Sequence, residues 1–167
     1  MRNEAEVNRA IDLYADTVRR ICFLYLKNDA DVDDIFQEVF LKYLLHPSSF
    51  ESDAHAKAWL IRVSINACQD LLKSFFRRRE RSIEEVTTEP FYLQEEDKGL
   101  LDAVFRLAPK YRNTIYLFYY EGYTAVEIAG ILKRSENTIY TWLDRARKEL
   151  KKQFGGEWDG KQASRYL

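Results

Sequence analysis

Apolar residues recur every three to four positions through most of the chain, which is the period of an amphipathic helix. In the first half this pattern predicts three long helices, at about 5–26, 32–45 and 54–76. Residues 28–31 interrupt the pattern after the first helix, and the run at 46–49, which contains a proline, ends the second. Because no alternating strand pattern competes anywhere, the predicted fold class is all-α.

Two short helices joined by a tight turn are predicted within residues 124–150. Thr124 and Glu127 can form a capping box at the start of the first, and Ser135 can cap the second. The second helix has an apolar stripe that comprises Ile139, Leu143, Ala146 and Leu150. Its opposite face is polar and cationic, with Asn137, Tyr140, Thr141, Asp144, Arg145 and Lys148. This arrangement predicts a DNA-binding helix-turn-helix, and an ordinary helical hairpin with a solvated charged face is the alternative.

The chain divides into two small helical domains and two irregular segments. Residues 77–97 are highly charged, contain Pro90 and lack a sustained period, so we predict an acidic, flexible linker. It separates a three-helix domain at 1–76 from a second domain at 98–154. The helix-turn-helix of the second domain is preceded by two further predicted helices, at about 100–109 and 111–121. Residues 155–167 are predicted to be a disordered tail.

Charge is distributed unevenly, although the net charge is only −1. Residues 1–73 hold nine Lys and Arg against twelve Asp and Glu, whereas residues 99–167 hold twelve against eight. A basic second half suits the phosphate backbone of DNA, and an acidic first half favours a protein partner. Since neither a transmembrane run nor a signal peptide is visible, we expect a cytoplasmic protein. Cys22 and Cys68 are then expected to be buried thiols, and a disulfide between them stays open.

Candidate catalytic and metal-binding residues are few. The aspartates at 29–33 match the opening of a calcium loop, but Asp34 and Phe40 occupy the positions where that loop requires Gly and Glu. His46 and His55 have no Cys or carboxylate at metal-ligand spacing, and neither a serine elbow nor a Gly-rich phosphate loop occurs. We therefore expect no enzymatic activity, no catalytic residues, no metal and no cofactor.

Two surfaces of the first domain each have a structural and a functional interpretation. One side of the second helix carries Asp34, Gln37, Glu38 and Leu41. It is either a solvated face or an acidic docking surface for a basic partner. Beside the loop at 50–55, the third helix carries Trp59, Arg62, Asn66 and Lys73. These residues form either a site for single-stranded bases or an ordinary core tryptophan flanked by surface charges.

Three segments, in this order, resemble the sigma-70 family of RNA polymerase sigma factors. They are DADVDDIFQEVFLKYL, FESDAHAKAWLIRVSINACQDLLKS and YTAVEIAGILKRSENTIYTWLDRARKEL. They are similar, in turn, to the polymerase-docking helix, the loop and helix that melt and read the −10 promoter element, and the helix-turn-helix that reads the −35 element. The layout resembles the extracytoplasmic-function (ECF) branch, so residues 1–76 would correspond to sigma region 2 and residues 98–154 to region 4.

The resemblance implies a role for each surface in transcription initiation. The implied polymerase-binding residues, against the β′ clamp helices, are Asp34, Gln37, Glu38, Phe40 and Leu41. The implied −10 residues are Phe50, Glu51, Ser52, Asp53, Trp59, Arg62 and Asn66, with the loop at 50–55 taking a flipped base. The implied −35 residues are Asn137, Thr138, Tyr140, Thr141, Arg145 and Lys148. The resemblance also implies contact with the polymerase β subunit, and the acidic linker would follow the RNA exit path.

The second helix of the helix-turn-helix, which we call the recognition helix, departs from the family pattern at three positions. Asn137 stands where glycine is frequent, and Tyr140 and Trp142 stand where lysine and arginine are frequent, which should alter base preference. An anti-sigma protein is implied as a further partner by analogy. The chief alternative is a stand-alone helix-turn-helix regulator that acts without polymerase, followed by a protein-interaction module with a vestigial helix-turn-helix.

Overall fold

The computed structural model describes residues 1–26, 28–79 and 103–153, with the side chain of residue 79 excepted. The chain falls into two compact units, Met1–Phe91 and Tyr92–Leu167. Throughout the described ranges the regular elements are helices, as the all-α prediction requires, and none of those helices is long and apolar enough to cross a membrane. The predicted linker beyond residue 79 and the predicted tail at 155–167 lie outside the described residues.

The described residues of the first unit form three helices, which we call α1 (Glu4–Tyr25), α2 (Asp29–Leu45) and α3 (Asp53–Arg79). Each of them packs against the other two. Their apolar stripes meet in one core, whose most deeply buried side chains include Val18, Ile21, Val32, Leu60 and Ile61. Burial of these stripes is the main stabilising contribution to the unit, because it removes apolar surface from water.

Two predicted boundaries in this unit are wrong. α2 begins at Asp29, because the Asn28 side chain accepts hydrogen bonds from the backbone N–H groups of Ala30 (2.8 Å) and Asp31 (3.2 Å). Acidic residues are favourable in that first turn, so the apparent interruption at 28–31 is a cap followed by a helix start. α3 continues to residue 79, three residues beyond its predicted end, so the linker cannot begin at residue 77.

The two cysteines lie between α1 and α3. Cys22 and Cys68 are both fully buried free thiols, so they are not joined by a disulfide. A hydrogen bond with Cys22, followed by burial, raises the pKa of the Cys68 thiol above its ordinary value. Cys68 is therefore protonated at neutral pH and acts as a small apolar core residue.

The described part of the second unit consists of several short helical elements followed by one longer helix. After a helical turn at 103–106 come α4 (Pro109–Ile115), a π-helical segment (Tyr116–Tyr120), α5 (Ala125–Leu132) and α6 (Glu136–Gln153). Pro109 opens α4 at its first turn, where a missing N–H costs nothing. The helical turn before it ends at residue 106, near Pro109 as predicted. The predicted helix at 111–121 is wrong in detail, since its second half is π-helical.

The helix-turn-helix has the predicted caps. Thr124 and Glu127 form a reciprocal capping box at the start of α5, and Ser135 Oγ accepts a hydrogen bond from the Thr138 N–H at 3.2 Å. The turn between the two helices passes through Lys133, whose backbone is left-handed (φ 52°). The buried stripe of α6 consists of the four predicted residues, Ile139, Leu143, Ala146 and Leu150. The burial of these four side chains determines which face of α6 packs on the core and which face is exposed.

Candidate protein and nucleic-acid interfaces

The acidic side of α2 is exposed to solvent, and we call it the α2 surface. Asp34, Gln37 and Glu38 are exposed, and Leu41 beside them is 54% exposed although it is apolar. Phe40 differs from these residues: it is only 5% exposed, and its ring packs against Phe36 with centroids 4.8 Å apart. The expectation that Phe40 presents its side chain to a partner is therefore wrong, because that side of the helix faces the core.

The charges on this surface are held by weak local pairs. Glu38 accepts from the Lys42 ammonium at 2.6 Å, one helical turn away. Such an exposed pair contributes only about 0.3–0.5 kcal/mol, so an incoming cation can replace Lys42. Nearer the helix start, burial and then the charge of Asp34 raise the pKa of Asp31 above its usual range. The α2 surface is thus a concentrated anionic patch.

Phe50 lies inside a cluster of rings at the loop between α2 and α3. Its ring centroid is 5.7 Å from that of Tyr43, 4.9 Å from that of His46 and 5.5 Å from that of Trp59. His55 meets it edge-on at 5.3 Å. Trp59 is half-buried in this cluster, so much of its ring serves as part of the core. Part of the ring surface of both Phe50 and Trp59 is therefore occupied by neighbouring rings.

The next residues of the loop cap α3. Ser52 Oγ accepts from the His55 N–H at 3.1 Å, while both Glu51 and Ser52 remain exposed. Asp53 accepts two hydrogen bonds from the Arg9 guanidinium on α1, at 2.9 and 2.8 Å. That hydrogen-bonded arginine holds the pKa of Asp53 below its usual range. The start of α3 is therefore fixed to α1 by an exposed, bidentate ion pair.

The polar side of α3 continues from this loop. Trp59, Arg62 and Asn66 are three and four positions apart, so they lie along one side of the helix. Arg62 is half-buried, whereas Asn66 and, two turns farther on, Lys73 are exposed. The structure therefore places a partly open ring, a cation and an amide in a row next to the loop.

A cleft of about 240 Å³ opens beside Phe50, between the loop and the start of α1. It is lined by Arg2, Glu6, Arg9, Tyr43, Ser49, Phe50, Ser52, Asp53 and Ala56. Sequence reasoning placed the loop at this site but missed the α1 residues, which lie more than forty positions away from it. No local sequence pattern predicts these residues at the site, because only the packing of α1 brings them to the loop.

The outer face of α6 in the second unit is also as predicted. Asn137, Thr141, Arg145 and Lys148 are exposed, and Tyr140 is 56% exposed. Thr138 is half-buried, and its hydroxyl shares a 2.8 Å hydrogen bond with Ser135. Thr141 Oγ1 donates to the carbonyl oxygen of Asn137 at 2.9 Å. Trp142, one of the departures from the family pattern, is half-buried, with the Lys110 ammonium 5.7 Å from its ring centroid.

The far end of α6 borders a cationic groove of about 580 Å³. The described residues that line it include five cations, namely Arg106, Arg145, Lys148, Lys151 and Lys152. Two of these lysines have acidic partners on the same helix: Lys148 bonds to Asp144 at 2.9 Å and Lys152 to Glu149 at 3.5 Å. The groove attracts anions, but part of its charge is neutralised internally.

Comparison with known proteins identifies both units. The sequence model of sigma-70 region 2 matches residues 10–81, and that of sigma-70 region 4 matches residues 98–150. The chain belongs to the sigma-70 family. α1–α3 form its region 2 unit, and α4–α6 form its region 4 unit.

Several relatives of this sigma-70 protein are ECF sigma factors. It is 29% identical over 160 residues to the ECF RNA polymerase sigma factor SigW of Bacillus subtilis, a match that covers 86% of each chain. It is also 29% identical over 157 residues to the ECF RNA polymerase sigma factor SigL of Mycobacterium tuberculosis, covering 89% of each. The chain thus spans most of the length of these sigma factors.

Two solved structures share the fold of this chain. The sigma factor RpoE, in complex with the anti-sigma factor NepR from Bartonella quintana, superposes with a TM-score of 0.75 at 22% identity, covering 92% of this chain and 99% of that one. CnrH, in complex with the cytosolic domain of CnrY, gives a TM-score of 0.67 at 19% identity, covering 93% and 92%. At these identities the likeness establishes the fold.

Proposed function

We propose that this chain is an ECF sigma factor that binds core RNA polymerase in the cytoplasm and directs promoter-specific transcription initiation. The observation that carries the proposal is the presence of both sigma regions, in the family order, on one chain. Each region also keeps an exposed surface of the charge that its role requires: anionic on α2 and cationic on α6. Sigma factors supply recognition rather than chemistry, so no catalytic residue is needed.

Polymerase docks on α2. Asp34, Gln37, Glu38 and Leu41 form a surface in which an exposed leucine lies beside carboxylates and an amide. An apolar contact surrounded by charge gives affinity at its centre and correct orientation at its edge. The implied partner surface on the polymerase, the β′ clamp helices, must then be basic around an apolar patch.

The −10 element is read by the loop after α2 and by α3. A base that leaves the duplex loses stacking worth a few kcal/mol, and a protein site must replace that loss. The cleft beside Phe50 offers a ring edge and polar groups for this purpose. Arg62 and Asn66 then contact the adjacent single strand, since a cation and an amide suit its phosphates and base edges.

The −35 element is read by the exposed face of α6. Asn137 and Tyr140 lie near the start of the helix, where recognition helices contact base edges. Lys148, two turns farther on, contacts a phosphate, and Arg145 contacts either a base or a phosphate. Thr138 and Thr141 approach the DNA backbone, and their hydroxyls must exchange their present partners within α6 or its cap to do so.

A regulatory protein partner is part of this proposal. The RpoE structure that shares this fold was solved with an anti-sigma factor bound. We therefore expect an anti-sigma protein to bind this chain as well. Such a protein would inhibit the chain by covering its polymerase-docking surface or its DNA-reading surface. A pull-down with this chain as bait, repeated with Glu38→Lys, tests whether such a partner uses the α2 surface.

The function is tested by reconstitution with purified bacterial core RNA polymerase. The template is a promoter library randomised across the −10 and −35 positions, and the transcripts are sequenced. We expect transcripts from a selected subset that carries two preferred elements, and no such selection by core enzyme alone. Tight, sequence-specific binding of the free chain to duplex DNA, without stimulation of transcription, would instead support the stand-alone regulator.

A further inference from the structure

Arg2, which precedes α1, is bonded to the loop that follows α2. Its backbone N–H donates to the Leu44 carbonyl at 2.9 Å, its Nε to the Tyr43 carbonyl at 3.1 Å, and its Nη2 to the Ser48 carbonyl at 2.6 Å. Carbonyls in the last turn of a helix lack intrahelical donors, and a cation there also complements the helix dipole. Arg2 therefore acts as a C-terminal cap of α2 from more than forty positions away.

The same guanidinium fixes the aromatic residue at the centre of the loop. It lies over the ring of Tyr43, 4.6 Å from the centroid, and over the ring of Phe50 at 4.8 Å. These two rings are nearly parallel, with an interplanar angle of 6°. Because hydrogen bonds to Tyr43 and Ser48 hold the guanidinium in place, its contact with Phe50 also limits the positions that this ring can adopt.

Arg2 also forms part of the wall of the 240 Å³ cleft, together with Glu6 and Arg9 of α1. Phe50 and Asp53 lie on the loop side of that cleft, and the Arg9–Asp53 ion pair joins the two sides. The shape of the cleft therefore depends on how closely the start of α1 is held against the loop. Arg2 and Arg9 make this connection, together with Tyr14 of α1, whose hydroxyl donates to the Asp53 carbonyl at 3.0 Å.

We propose that Arg2 is a positioning residue for −10 recognition, which holds Phe50 and the loop in the shape that accepts an unstacked base. The inference rests on the proposed function of this loop in reading the −10 element. Without the Arg2 side chain, Phe50 keeps its ring contacts with Tyr43, His46 and Trp59, so the three-helix core is preserved. What is lost is the side-chain attachment of the Tyr43–Phe50 end of the loop to the segment before α1, whereas the Arg9–Asp53 ion pair at the other end is kept. The side of the cleft formed by Phe50 is then no longer held in one shape.

The experiment compares three variants of the full chain in holoenzyme with bacterial core polymerase. Arg2→Ala removes both side-chain hydrogen bonds and the ring contacts. Arg2→Lys keeps the charge but not the planar, forked donor group. Asn3→Ala is the matched control, because it removes the capping box with Glu6 and loosens the start of α1 while leaving the Arg2 side chain intact.

Each variant is assayed on the randomised promoter library and on templates already opened across the −10 element. We expect Arg2→Ala to lower transcription from duplex promoters about tenfold or more, because the loss of even one hydrogen bond from a charged donor corresponds to a change of that size. It should also weaken the base preference within the −10 element, while core binding is unchanged. Arg2→Lys should recover at most part of this loss, and Asn3→Ala should keep the wild-type preference.

Two results would overturn the proposal. One is an Arg2→Ala holoenzyme with wild-type rate and wild-type −10 preference. The other is an equal loss of preference in Asn3→Ala, which would trace the effect to the start of α1 in general. Failure of the wild-type chain to bind core polymerase or to select any −10 sequence would overturn the proposed function itself, and is distinguishable from both.

Discussion

Arg147 Nε donates a hydrogen bond of 2.6 Å to the hydroxyl of Tyr119, and so joins α6 to the π-helical segment. The same guanidinium lies 5.5 Å from the ring centroid of Phe118. The π-helical segment thus presents consecutive aromatic residues to the inner side of the recognition helix. π-Helical turns are rare and commonly mark functional sites. Here the segment supports the helix that we propose reads DNA.

This relationship predicts a local loss of stability in Tyr119→Phe. The ring is retained but its hydroxyl is removed, so a charged donor loses its partner at a cost of about 1.5–3 kcal/mol. Amide hydrogen exchange of α6 should accelerate by about tenfold or more. Tyr140→Phe is the control, because that tyrosine is exposed on the outer face. Equal exchange rates in the two variants would show that the bond contributes nothing to α6.

Charge reversal on α2 should weaken polymerase binding. In the double variant Asp34→Lys with Glu38→Lys, the carboxylates of the docking surface become ammonium groups, which repel a basic partner. We expect affinity for core enzyme to fall at least tenfold. The matched control is Asp12→Lys with Asp16→Lys, which has the same spacing on the exposed side of α1. Asp34 lies near the start of α2, where an acidic side chain stabilises a helix, so its replacement by lysine can reduce helicity. Circular dichroism of the variant checks that helicity is kept.

Replacing Asn66 should separate promoter melting from binding. Asn66 is exposed on the side of α3 that we propose contacts the melted strand. Asn66→Ala should reduce transcription from duplex promoters more than from templates already opened across the −10 element. Asn8→Ala, an exposed asparagine on α1, serves as the control. An equal reduction on both templates would leave Asn66 with a binding role and no role in melting.

The two ends of the exposed α6 face should respond differently to substitution. Tyr140→Lys should change the −35 preference, because Tyr140 lies in the first turns of the recognition helix. Lys148→Ala should weaken binding to all sequences alike and reduce the slope of log affinity against log salt by about one. A −35 scan and a salt titration of the holoenzyme measure both effects. The opposite pattern would mean that α6 lies differently in the groove.

Local patterns in the sequence were sufficient for most of the fold. The Thr124–Glu127 capping box and the buried stripe of α6 depend on residues within a few turns of each other, so their spacing determines them. The period of 3.6 residues could not reveal the π-helical segment, which keeps apolar residues but changes the hydrogen-bond register. The acidic run before Val32 is typical of a break as well as of a helix start, because aspartates suit both turns and the first turns of helices.

The site was harder to predict where it depends on contacts between distant residues. The exposed members of the α2 surface follow from helical spacing, but Phe40 was placed with them by family resemblance and is buried. Arg2 and Arg9 reach the −10 loop only because α1 packs against α2 and α3. Nothing near either arginine in the sequence indicates a partner more than forty positions away.

The ion pairs along α6 also determine how this chain behaves toward bulk DNA. Lys148 and Lys152 each have an acidic partner on their own helix, so a phosphate must displace a carboxylate to bind either of them. Exposed pairs of this kind are worth only about 0.3–0.5 kcal/mol each, so they reduce the attraction of the helix for random genomic sequence modestly. The millions of incorrect sites on the chromosome therefore compete for this helix less than its number of lysines alone would suggest.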